Sequence, residues 1–129
     1  MLLVEDDVVQ VKAYKALGKR FGMQVMSTPR LDEAFSLAVS EKPDVIVLDY
    51  RLEEGESLPL LTHLRQTPQL ANTPVLVISA YLSSELRKHC MALGATQVMD
   101  KPWTVDELLE ALSPFATPPS AWANDTLSK

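Results

Sequence analysis

Asp44-Val45-Ile46-Val47-Leu48-Asp49 is the stretch on which the reading of this chain turns. Four apolar residues in a row, mostly β-branched, stand between two aspartates. The run is too short for a helix and lacks the alternation of a strand with one wet face, so it predicts a strand buried on both sides. Val75-Leu76-Val77-Ile78 repeats the pattern, and Leu2-Leu3-Val4 opens the chain in the same style. Weaker strand candidates are residues 24–26, after Gly22, and residues 97–99, after Gly94. Strands buried on both faces need helices on both faces, and helical patterns lie between them. The first carries Val9, Ala13, Leu17 and Phe21 at spacing four, and the second Leu31, Ala34, Phe35, Ala38 and Val39. Leu58, Leu61 and Leu64 mark a third; Leu82, Leu86, Cys90 and Leu93 mark a fourth, stopped by Gly94. A fifth follows Pro102, with Thr104 and Glu107 as a capping-box pair ahead of Leu108, Leu109, Leu112 and Phe115. Strand and helix alternating five times predict a doubly wound parallel α/β sheet with right-handed crossovers.

The rest of the composition narrows the function. A chain of 129 residues is one domain, and 47% apolar with 22% charged residues is ordinary globular composition. The formal charge of −5 argues against a surface for phosphate backbones, so no direct nucleic-acid binding is expected. The apolar runs are far short of the ~20 residues of a bilayer span, and neither a membrane segment nor a signal peptide is expected. The single cysteine, Cys90, excludes an internal disulfide and a multi-thiolate metal site. Cys90, Met23 and Met91 read as packing residues, and His63 and His89 as solvated helix positions without a ligand partner.

In a doubly wound sheet, ligands sit outside the carboxyl ends of the strands. There the sequence sets Glu5-Asp6-Asp7 after strand one, Asp49 at the end of strand three, Ser79 at the end of strand four, and Asp100-Lys101 at the end of strand five. Carboxylates crowded at one edge repel each other unless a cation sits among them, and all-oxygen donors select a hard divalent ion, best Mg²⁺ awaiting a phosphate. A hydroxyl and an ammonium facing them suit the remaining phosphoryl oxygens. The constellation reads as a site for an aspartyl phosphate.

At these residues the chain resembles the receiver domains of bacterial two-component response regulators. The likeness rests on Leu2-Leu3-Val4-Glu5-Asp6-Asp7, on Asp44 through Leu52, on Val75-Leu76-Val77-Ile78-Ser79-Ala80 and on Lys101-Pro102-Trp103, in the family's order. It covers about residues 1–115 as the receiver domain and leaves residues 116–129 as a linker or disordered tail. The resemblance implies a flavodoxin-like, five-stranded sheet of order 2-1-3-4-5 flanked by five helices. It makes Asp49 the phosphoacceptor, served by a histidine kinase or a histidine phosphotransfer protein. Asp6, Asp49 and the backbone carbonyl of Arg51 would hold Mg²⁺, with Glu5 acting through water. Ser79 and Lys101 would contact the phosphoryl group, and the Lys101–Pro102 peptide would be cis. Phosphorylation would then change the surface of helix four, strand five and helix five, where an output domain or protein partner docks. The resemblance also allows a homodimer, places the chain in the cytoplasm, and implies a regulatory phosphoacceptor whose only catalysis is its own phosphorylation and dephosphorylation.

Some positions depart from the family. Val98 stands where an aromatic is usual, and the loop after Asp49 reads Leu52-Glu53-Glu54-Gly55 without its usual proline. Arg51 and Tyr81, two residues past Asp49 and Ser79, are bulky enough to shield the acyl phosphate from water and imply slow self-dephosphorylation. Other readings stand beside these. Asp7 reads equally as a helix cap, Ser79 as a residue bonded to its own backbone, and Trp103 as either a docking or a packing residue. A Mg²⁺-dependent aspartate-nucleophile phosphatase is the alternative function, but it needs an Asp-x-Asp pair, and Val8 occupies the second place. A nucleotide or flavin module would need a Gly-rich or Ser/Thr-rich loop after strand one.

Overall fold

The computed structural model describes residues 1–101 and 105–114. Its elements follow as β1 (Leu2–Val4), α1 (Val8–Phe21), β2 (Met26–Thr28), α2 (Leu31–Glu41), β3 (Ile46–Asp49), β4 (Arg51–Leu52) and β5 (Gly55–Glu56). Then come α3 (Leu58–Gln66), a 3-10 turn (Pro68–Leu70), β6 (Val75–Ser79), α4 (Ser84–Ala92), β7 (Gln97–Asp100) and α5 (Val105–Leu112). Five strands form one parallel sheet in order β2-β1-β3-β6-β7. With the small antiparallel hairpin β4–β5 set aside, this is the expected order 2-1-3-4-5.

Alternation along the strands divides the core in two. Leu2, Val4, Ile46, Leu48, Val75 and Val77 pack with α2, α3 and α4 residues such as Ala34, Leu61 and Cys90. Leu3, Val45, Val47, Leu76 and Ile78 pack on the other side with Tyr14, Leu17, Phe21, Leu108 and Leu112 of α1 and α5. The central strands are therefore apolar up to the polar residues that end β3 and β6, because each apolar side chain meets a helix on one face or the other.

Two sequence expectations are corrected. The buried face of α1 is Tyr14, Leu17, Gly18 and Phe21, while Val9 is 73% exposed and Ala13 lies in solvent. A strict spacing of four drifts about 40° per step around a helix, so Val9 and Phe21 cannot share one face. Strand two is displaced to Met26–Thr28, because the pairing of Leu2 with Met26 and Val4 with Thr28 sets its limits. The start of α5 at Thr104, the Lys101–Pro102 peptide, Trp103, Phe115 and the tail of residues 116–129, Trp122 included, lie outside the described residues.

Helix ends and helix pairs are fixed by both backbone and side-chain contacts. Gly22 closes α1 in the left-handed conformation, φ 73°, with its N–H donating to the Gly18 carbonyl. His63 of α3 is stacked on Phe35 of α2 at 3.8 Å between ring centroids. At the sheet's opposite end from the acidic residues, Arg65 of α3 donates to main-chain carbonyls. Its Nε donates to the Gly94 carbonyl at 2.9 Å, and its Nη1 to the carbonyls of Leu70, Ala71 and Thr73 at 3.2, 3.2 and 2.8 Å. Burial lowers the Arg65 pKa from its ordinary value.

Candidate functional site

β1, β3 and β7 run parallel, so the residues that leave their carboxyl ends emerge together at one edge. Glu5 follows β1, its N–H donating to the Thr28 carbonyl at 3.0 Å, and is only 3% exposed. Asp49 ends β3 and is 9% exposed. Asp6 stands beside Glu5, whose Oε2 accepts from the Asp6 N–H at 3.2 Å. Glu5, Asp6 and Asp49 each offer an oxygen, all within 4.8 Å of one another. Lys101, past the end of β7, donates from Nζ to Asp49 Oδ2 at 2.9 Å and to Glu5 Oε1 at 3.2 Å.

Burying two carboxylates beside a third has an electrostatic consequence. Burial, then the hydrogen bond and charge of Asp49, push the Glu5 carboxyl up to about 8, with Lys101 only partly offsetting them. Burial works to lower the Lys101 ammonium, but Asp49 and Glu5 outweigh it and hold it above the ordinary lysine value. One ammonium is thus shared among carboxylates that repel one another. The all-oxygen donor set fits a hard divalent cation, which would relieve that repulsion.

Ser79 ends β6 at 4% exposure, opposite Asp100 in the sheet. Its Oγ accepts from the Tyr81 N–H at 3.2 Å, so the turn to its own backbone forms while the hydroxyl hydrogen stays available to donate. Asp7 serves as the N-cap of α1, its Oδ1 accepting from the N–H groups of Val9 and Gln10 at 2.9 and 3.4 Å. Arg51 leaves Asp49 along the hairpin, its Nη2 3.6 Å from Glu56 Oε1, and Tyr81 is 91% exposed. Those orientations lend no support to shielding by Arg51 and Tyr81.

Sequence reasoning missed the hairpin's own contributions. The Glu53 N–H donates to Asp6 Oδ2 at 2.6 Å, Glu54 Oε1 accepts from the Leu31 N–H at 2.9 Å, and the Tyr50 hydroxyl donates to Glu56 Oε1 at 2.8 Å. The run Glu53-Glu54-Gly55-Glu56 signals a turn, but nothing in it points to Asp6 or Leu31.

Residues 1–113 match the family model described as the response regulator receiver domain. The polar-differentiation response regulator DivK of Brucella anthropi is 24% identical over 115 residues, 89% of this chain and 94% of that protein. Among solved structures, the chemotaxis protein CheY4 of Vibrio cholerae superposes with a TM-score of 0.83 at 24% identity, covering 89% of this chain and 96% of that one. The receiver domain of a sensor histidine kinase from Pseudomonas aeruginosa, solved with magnesium coordinated in its active-site cleft, gives 0.79 at 24% identity, covering 88% and 93%. With nearly nine-tenths of its length matched and its strands in the same order, the chain belongs to the response regulator receiver domain family.

Proposed function

We propose that this receiver domain is a phosphorylatable switch of a two-component phosphorelay, taking a phosphoryl group on Asp49 from a phosphohistidine of a histidine kinase or a histidine phosphotransfer protein. The observation that carries the reading is the meeting of Asp49 with Glu5 and Asp6 within 4.8 Å and with Lys101 at 2.9 Å. In the step, an Asp49 carboxylate oxygen attacks phosphorus, the P–N bond breaks, and its electron pair leaves with the imidazole, giving an acyl phosphate. Later hydrolysis returns the free carboxylate. Lys101 Nζ, 2.9 Å from Asp49 Oδ2, would balance phosphoryl oxygen charge, and the Ser79 hydroxyl would donate its hydrogen to another oxygen.

Asp6, Asp49 and the Arg51 carbonyl would hold Mg²⁺, with Glu5 acting through water. The bound ion supplies charge neutralisation for the transferring phosphoryl oxygens. The magnesium in the cleft of the Pseudomonas receiver domain supports this assignment.

Output would leave through the face of α4, β7 and α5, to an output domain, a protein partner or a second copy of the chain. Val98 is buried where the family carries an aromatic, and its carbonyl accepts from Arg87 Nη1 of α4 at 2.9 Å. That bond, rather than a rotating ring, ties β7 to α4. The cytoplasm is the proposed compartment; among the described residues no helix is long and apolar enough to cross a membrane. The phosphatase alternative gains no support, because Val8 stands two residues past Asp6.

The test is incubation with acetyl phosphate and Mg²⁺ followed by intact mass. A gain of one phosphoryl group in the wild type and none in Asp49→Asn is expected; no gain in the wild type, or an equal gain in both, overturns the reading.

A further inference from the structure

The start of α2 and the tip of the β4–β5 hairpin are joined by a bond that neither could make alone. α2 has Arg30 at its N-cap, a side chain that makes no capping hydrogen bond and donates instead to Asp32. The orphan N–H of Leu31, the first helical residue, is taken by Glu54 Oε1 at 2.9 Å, from 23 residues along the chain. The preceding residue bonds in the other direction, the Glu53 N–H donating to Asp6 Oδ2 at 2.6 Å. The tip turns at Gly55, φ 120°, where a side chain would meet nothing within 4 Å. Buried Leu52 and the Tyr50–Glu56 bond fix the base of the hairpin, so at its tip the two bonds from Glu53 and Glu54 are the contacts that reach Asp6 and α2.

We propose that Glu54 is a positioning residue for the cation site. By capping α2 it holds the hairpin where the Glu53 N–H orients the Asp6 carboxylate and where Arg51 follows Asp49, although Glu54 lies outside the Glu5, Asp6 and Asp49 cluster. The inference rests on the reading of that cluster as a Mg²⁺ site. Groups that orient a metal ligand through one hydrogen bond affect affinity by roughly 10- to 100-fold, and an exposed tether belongs at the lower end.

The test is calorimetric titration of Mg²⁺ into the full chain as wild type, Glu54→Ala, Glu54→Gln and the charge control Glu33→Gln, in the first turn of α2, with amide exchange at Leu31 and Glu53 followed in metal-free protein. Glu54→Ala should weaken Mg²⁺ binding about tenfold and speed exchange at both amides. Glu54→Gln loses the same charge but keeps an acceptor oxygen, and it should stay within about twofold of wild type, as should Glu33→Gln. Equal weakening by alanine and glutamine means that charge alone acts and overturns the proposal, as does a Glu54→Ala affinity within about twofold of wild type. If the wild type takes up no Mg²⁺, the cation reading fails and the positioning role falls with it; wild-type uptake with an indifferent Glu54→Ala removes the positioning role only.

Discussion

The Lys101 ammonium stands 2.9 Å from Asp49 Oδ2 and 3.2 Å from Glu5 Oε1, so one cation beyond β7 serves carboxylates delivered by β3 and β1. That ammonium attracts phosphoryl oxygens but repels a divalent ion. In Lys101→Met, Mg²⁺ affinity should therefore rise severalfold while the rate of phosphorylation by acetyl phosphate falls at least about tenfold. Calorimetry and a mass time course read the two separately, and parallel losses in both would contradict the arrangement.

Glu5 makes metal-free stability depend on pH. Its carboxyl is pushed up to about 8 in the fold from the ordinary 4.5 of a glutamate, so the folded state binds the extra proton between those limits. A group raised in this way contributes fully below its unfolded value and loses that contribution as pH climbs through the folded one. With chelator present, the urea midpoint should fall from about pH 4.5 to about pH 8, and Glu5→Gln should flatten that slope. Lys101, raised above 10.5, adds a contribution that persists through this window and disappears only at higher pH.

Asp7 should behave as a cap and not as a site residue. Asp7→Ala removes the acceptor for the Val9 and Gln10 N–H groups and should cost about 1 kcal/mol in chemical denaturation. Mg²⁺ affinity should stay within about twofold, since Asp7 spends its oxygen on the helix.

Arg65 and Gly94 form a sensitive pair away from the site. Arg65→Met leaves four carbonyls without their donor and should cost about 2–4 kcal/mol. Arg65→Lys should restore little, because a single ammonium cannot span the fork that Nε and Nη1 fill. Gly94 has φ 109°, and a Cβ there would lie 2.8 Å from Arg65 Cγ, so Gly94→Ala should lower the melting temperature as well.

How far the molecule is legible in its sequence depends on how local each determinant is. Val45 to Leu48 and Val75 to Ile78 declare buried strands because every residue in them is apolar, and the polar residues at their ends mark the site edge. Asp49 and Ser79 are readable as strand-end residues for that reason, and Asp6 and Lys101 stand just past two further strands. The edge strand β2 is not, since Met26, Ser27 and Thr28 carry no pattern and are ordered by pairing with Leu2, Leu3 and Val4. The α1 stripe misleads because Leu17 and Phe21 belong both to the false spacing of four and to the true face with Tyr14. The bonds from Glu53 to Asp6 and from Glu54 to Leu31 join residues 47 and 23 positions apart, and no local signal encodes them.

Arg65 grips carbonyl oxygens at residues 70, 71, 73 and 94 and no side chain among them. As far as this joint is concerned, Ala71 and Thr73 are free to drift, since any amino acid but one that bends the backbone offers the same oxygen. The side-chain link among α3, the following turn and the end of α4 thus hangs on one codon, and a saturation library should find position 65 intolerant while positions 71 and 73 accept change.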